Sequence, residues 1–88
     1  MGIVNNKEPA MKLRIGNVIK SYDFVNDFSC YMVGRVREIK DGMAVCDTMS
    51  QTFAGEETTD FAQEFRTPLP GNYMMDEMYP QFKRIVVL

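Results

Sequence analysis

Two adjacent carboxylate pairs, Glu56-Glu57 and Asp76-Glu77, are the first candidates for acid–base chemistry. Neighbouring side chains point to opposite faces of a strand and sit about 100° apart on a helix, so neither pair makes a dyad by itself. Both read as solvated loop charge. Asp47, Glu56, Glu57 and Asp60 could collect a divalent cation, but their spacing does not match the regular calcium loop. Cys30 and Cys46 have no histidine to activate them, because the chain contains none. That absence removes the commonest general base and the commonest metal ligand together. Ser21, Ser29 and Ser50 lie in no nucleophile motif, and no glycine loop is present to cradle a phosphate. The expectation is a chain that is not an enzyme, with no catalytic residue, no metal and no cofactor.

Side chains suited to binding are better represented. Tyr22, Phe24, Phe28 and Tyr31 flank one polar stretch with Asn26 and Asp27 at its tip. Such a set either lines a groove or cage, through apolar and cation–π contact, or fills a small core. Met74, Met75 and Met78 cluster beside Tyr73 and Tyr79. On a helical turn Met74 would meet Met78, and Met75 would meet Tyr79, at the i, i+4 spacing. Thioether side chains make an adaptable contact surface, so this segment is read as a core lid or as a contact with a partner or a second copy. Lys20, Arg35 and Arg37, with Arg14 and Lys83, could instead form a nucleic-acid face beside Tyr22 and Tyr31, through base stacking and phosphate neutralisation. A net charge of -2 and the lack of any Lys/Arg run make that the alternative.

The elements that must position these residues belong to one domain. At 88 residues the chain is far below the roughly 250 at which a second core is needed. A 45% hydrophobic and 25% charged composition is ordinary for a globular protein. Residues 1–11 read as a flexible leader and 12–88 as the domain. There is no secretory or membrane-spanning apolar run, so a cytoplasmic location is expected, with both thiols reduced and used as small core residues.

Alternating β-formers recur between glycine and proline punctuation. Ile15 opens a first strand, a loop covers Asp23–Ser29, and a second strand runs from Tyr31 to Ile39. After a turn at Lys40-Asp41-Gly42, a third strand runs from Met43 to Thr48. Gly55-Glu56-Glu57 reads as a turn, Phe61–Thr67 as a fourth strand stopped by Pro68, and Phe82–Leu88 as a fifth. Asn72 is placed to cap a helical turn over Tyr73–Tyr79. For the Asp41-Gly42 hairpin we prefer a three-residue loop with Gly42 left-handed. It pairs Ile39 with Met43, Arg37 with Val45, Val36 with Cys46 and Arg35 with Asp47. Met32, Gly34, Val36, Ala44 and Cys46 then share one face, and Arg35 and Arg37 face away from it. The pattern is mainly β: a five-stranded, strongly bent small barrel, with a short helical turn before the last strand and Gly16 and Gly34 at bends or bulges.

Ile15-Gly16-Asn17-Val18, the aromatic loop, Val33-Gly34-Arg35-Val36 with Ile39, the Asp41-Gly42 turn and Val45 resemble the small barrels of the Src-homology-3, Tudor and KOW type, over residues 13–48. That resemblance implies a binding fold whose loop aromatics line a groove or cage. Ser21-Tyr22-Asp23-Phe24, Cys30-Tyr31-x-x-Gly34 and Phe65-Arg66-Thr67-Pro68-Leu69-Pro70-Gly71 resemble small uncharacterised proteins of bacteriophages, cyanophages among them. This implies a viral accessory or structural role, in the host cytoplasm or the virion. The combined expectation is a protein-interaction or assembly module, binding a protein partner or itself as a homo-oligomer. It would act through Tyr22, Phe24, Phe28 and Tyr31 and through Tyr73, Met74, Met75 and Met78.

Overall fold

The computed structural model describes residues 12–59, 63–72, 78–79 and 81–88. Six strands follow in chain order: β1 Val18–Phe24, β2 Asp27–Lys40, β3 Met43–Phe53, β4 Glu56–Thr58, β5 Glu64–Pro68 and β6 Ile85–Val87. All pairings are antiparallel. The main path of the sheet runs β4-β3-β2-β1-β6, and β5 pairs with the other half of β3. The expected leader, residues 1–11, lies outside the described residues. So does most of the expected helical turn, including Tyr73, Met74 and Met75.

The five-stranded barrel expected from the sequence is instead one open six-stranded sheet. The first strand begins at Val18, because Ile15-Gly16 turns, with Gly16 at φ +99. The stretch Asp23–Ser29 is the tip of a hairpin and not a loop: Phe24 pairs with Asp27, and Val25-Asn26 make the turn, with Asn26 at φ 66. The turn expected at Gly55-Glu56-Glu57 falls one residue earlier, at Ala54-Gly55, with φ 53 and 85. Glu56 and Glu57 therefore enter β4, the additional strand. Two residues with positive φ suit the right-handed twist of the flanking strands, which is why short hairpins use them.

The β2–β3 hairpin corrects the expected register in an informative way. Asp41 and Gly42 both have positive φ, so the loop has two residues, and Lys40 pairs with Met43. Ile39 faces Ala44 and Glu38 faces Val45, one position off the three-residue reading. Arg37 is then an extra residue in β2, and beyond this bulge Val36 faces Cys46 and Arg35 faces Asp47, the pairs expected. A second bulge at Met49, on β3, cancels the shift, so Val33 pairs with Ser50 and Tyr31 with Thr52. One extra residue on each strand adds twist without a net slip.

The core consists of Ile19, Val36, Ala44, Cys46 and Ile85, flanked by Leu13, Phe65 and Leu69. Ile19 sits opposite Gly34, Cys46 opposite both Val36 and Phe65, and Ala44 opposite Thr67, so these residues line one face. On that face the Ser21 and Thr67 hydroxyls share a buried 2.8 Å hydrogen bond, joining β1 to β5 although the two strands are not paired. Gly34 makes this curl possible. A Cβ there would lie 2.6 Å from both the Asp47 carbonyl oxygen and Phe65 Cε2. Cys30 and Cys46 are both buried and unpaired. Burial pushes the Cys46 thiol up to about 11, since its thiolate would be desolvated beside Asp47.

Two outcomes follow. Gly34→Ala should lower unfolding free energy in urea by about 3 kcal/mol, the upper part of the range for overpacking. Adding Phe65→Ala should not restore it, because the backbone carbonyl of Asp47 cannot retreat. Cys46 should resist a thiol reagent at neutral pH and react only on unfolding, as followed by its absorbance.

Candidate functional site

Hairpin β1–β2 carries the aromatic set. Tyr22 and Tyr31 are direct cross-strand partners, on the face opposite the core. Their rings meet edge to face at 5.6 Å between centroids, and Tyr22 meets Phe28 in the same manner at 5.0 Å. Such edge contacts set the positive ring edge against the negative ring face. The Lys20 ammonium lies 4.4 Å from the Tyr31 centroid and 5.7 Å from that of Tyr22. The electron-rich faces that could cage a partner's cation are therefore already in contact with a cation of the chain itself. Phe24 is not part of this cluster and is 53% exposed.

Phe28 touches Tyr22 on one side and is open on another. It lines a groove of about 350 Å³ with Val25, Asn26, Met78, Tyr79, Gln81 and Phe82. The groove brings together the two segments singled out in the sequence, the β1–β2 tip and the methionine-bearing stretch. Phe28 is 60% and Met78 65% exposed.

Asp27, next to Phe28 in sequence, is well braced. The Asp27 carboxylate accepts hydrogen bonds from the Ser29 hydroxyl at 2.7 Å and the Ser29 backbone N–H at 3.1 Å. These bonds hold its pKa below the ordinary value. Partial burial raises the Asp23 pKa, and the nearby Arg84 charge opposes this. Arg84 donates to the Tyr22 carbonyl at 3.2 Å and lies 5.5 Å from the Phe82 ring. The β3–β4 turn sits beside this end, since the Gly55 N–H donates to the Ser29 carbonyl at 3.0 Å. It brings Glu56, Glu57 and the exposed Phe53 with it. Phe53, Val25 and Phe82 were not identified from sequence. The short Ala54-Gly55 turn was the signal that could have placed Phe53.

The basic residues of the alternative reading are distributed differently. Lys20 and Arg35 share the outer face, since they pair with or stand beside Val33. Arg35 Nη1 donates to the Gly16 carbonyl at 2.9 Å. Arg37, the bulge residue, is bonded to Asp47 at 2.6 Å and to Glu64, and Glu64 also meets Arg66 at 3.1 Å. Among the described residues, no three His, Cys, Asp or Glu side chains gather into a metal site, and Asp60 lies outside them. A smaller recess of about 180 Å³, at the β2–β3 tip, is lined by both charge signs from Glu38, Lys40, Asp41 and Arg66. No described helix is long and apolar enough to cross a membrane. The chain matches no family model, no curated protein and no solved structure.

The carboxylates should depart from their ordinary values in defined directions by carbon-detected NMR. Glu64, bonded to Arg37, is held below its ordinary value of 4.5, and Asp27 lies below 3.8, whereas Asp23 lies above 3.8. The first two contribute stability that is present above their ordinary values and lost as pH falls through the depressed ones. Asp23 has the opposite sign, its share being lost as pH rises. Arg37→Met should return Glu64 toward 4.5 and leave Asp27 unchanged.

Proposed function

We propose that this chain is a non-enzymatic protein-interaction module that receives a segment of a partner protein in the groove between the β1–β2 tip and Met78–Phe82. The observation that carries the reading is the groove itself. It is open, mostly apolar, and lined largely by exposed residues from two stretches far apart in sequence. The same end of the molecule carries Asp27, next to Phe28, and Glu56 and Glu57 on the adjoining turn, which suit an apolar segment with cationic flanks. Phe28, Met78, Tyr79 and Phe82 would supply apolar contact, and Tyr22 and Tyr31 would hold Phe28 in place from behind. The likeness to small binding barrels belongs to this proposal. The Ser21–Thr67 bond draws β1 toward β5 across the sheet, a curl of the kind such a barrel has. A viral accessory or structural role, implied by the bacteriophage resemblance, accords with such a module.

A nucleic-acid face around Lys20, Arg35, Tyr22 and Tyr31 is the second reading, favoured by their common outer face. It ranks lower because Lys20 and Arg35 already engage a ring and a carbonyl, and Arg37 is neutralised by two carboxylates.

The test is recovery of the tagged chain from its native host. A single partner should co-purify at fixed stoichiometry, be lost with Phe28→Asp or Met78→Asp at unchanged melting temperature, and be kept by Lys40→Glu at the far tip. A partner insensitive to both groove variants overturns the reading. Retention on single-stranded DNA or RNA that falls steeply with salt, and is lost in Lys20→Glu, would favour the second reading instead.

A further inference from the structure

An open sheet has edges, and those of this chain differ in how they are guarded. Natural edge strands are protected by charge, proline or bulges against adding another strand. The β5 edge ends at Pro68 and alternates Glu64 with Arg66. The β4 edge reads Glu56-Glu57-Thr58 and is fully exposed. The β6 edge reads Ile85-Val86-Val87, with no charge and no proline. The Leu88 N–H donates to Val18 and the Tyr22 N–H donates to Arg84, and Lys20 pairs with Val86. In an antiparallel ladder the bonded positions alternate, so Arg84, Val86 and Leu88 bond toward β1. The N–H and C=O of Ile85 and Val87 therefore point away from it, and no described strand takes them up. On β4, Phe53 and Glu56 close the two-residue turn as a bonded pair, so it is Glu57 whose N–H and C=O point outward.

We propose that copies of this chain join head to tail, with β4 of one copy adding to β6 of the next in parallel. The proposal goes beyond the groove reading and does not depend on it. Three features of the fold select a second copy as the occupant. The first is direction. Successive strands along β4-β3-β2-β1-β6 are antiparallel, so β4 and β6 run the same way, and a copy in the same orientation presents its β4 parallel to β6. The second is register. With Glu57 opposite Val86, the Glu57 N–H reaches the Ile85 carbonyl and the Val87 N–H reaches the Glu57 carbonyl, using the outward groups of both edges. Glu57 shares the outer face with Thr52, Tyr31 and Tyr22, and Val86 shares it with Lys20, so the same face continues across the joint. The third is charge. Arg84, two residues before Val86, and Lys20, one strand further in, lie on the face that Glu57 joins. A joint between unlike edges leaves the next edge free, so it repeats into an open-ended sheet or a ring, and does not stop at a two-fold dimer.

Sedimentation velocity over a concentration series tests this. The wild type should show a mean mass that climbs without a plateau at two copies, and falls as salt is raised. Glu57→Lys removes only the β4 end. Val87→Pro removes only the outward N–H of β6 and leaves the bonds to β1. Val86→Glu blocks the same end by like charge, with the backbone unchanged, should the proline variant fold poorly. Each variant alone should sediment as a monomer. Mixing Glu57→Lys with Val87→Pro or Val86→Glu should give one-to-one dimers and nothing larger, because one good edge of each kind remains. A strict monomer at the highest concentration, a two-copy species that survives Glu57→Lys, or failure of the mixture to pair would overturn the proposal. Phe28→Asp should leave the association intact, so failure of the groove reading and failure of this one are separable.

Discussion

The close approach of β5 to β2 at Gly34 is the contact on which the rest of the structure depends. Phe65 belongs to β5, which pairs with β3, yet its ring reaches over to the backbone of β2. Only a residue without a Cβ leaves room for it and for the Asp47 carbonyl. This contact curls the sheet over Ile19, Val36, Ala44 and Cys46, and brings Ser21 within hydrogen-bonding distance of Thr67. The two hydroxyls satisfy one another where water is excluded. Without a partner, each would carry the cost of a buried polar group.

The bulges at Arg37 and Met49 belong to the same construction. They flank the Gly34 contact, one on each strand, and add twist where the sheet must bend while preserving the pairing beyond. The bulge at Arg37 also places its guanidinium between Asp47 of β3 and Glu64 of β5, tying three strands on the outer face opposite the Phe65 contact. The long β2 and β3 then carry two turns, Val25-Asn26 and Ala54-Gly55, to one end of the molecule. The groove, Asp27, Glu56, Glu57 and Phe53 are collected there. At that end Tyr22 and Tyr31 support Phe28 and hold Lys20. The aromatic set thus divides into supporting rings and exposed ones, a division that residue type alone does not reveal.

The β class, the Asp41-Gly42 hairpin, the core use of both cysteines and the face shared by Gly34, Val36, Ala44 and Cys46 were all legible in the sequence. Each rests on local rules: period-two alternation, residues that tolerate positive φ, and small apolar side chains. Local rules also singled out Phe28 and Met78. They did not locate the bulges, because a bulge is set by what lies across the sheet. The expected pairs Ile39–Met43 and Arg37–Val45 therefore failed, while Val36–Cys46 and Arg35–Asp47 held. Nor did they show that Glu56-Glu57 would find a free edge of β3, that Lys20 would cover the tyrosines, or that the sheet would remain open. Those outcomes depend on contacts between residues tens of positions apart, such as Phe65 with Gly34 and Ser21 with Thr67. The sequence by itself determined which segments extend and which residues turn. Only the tertiary structure decided how far each strand runs, which edges remain unpaired and which aromatics reach the surface, because these follow from packing between strands and not from the preferences of any one of them.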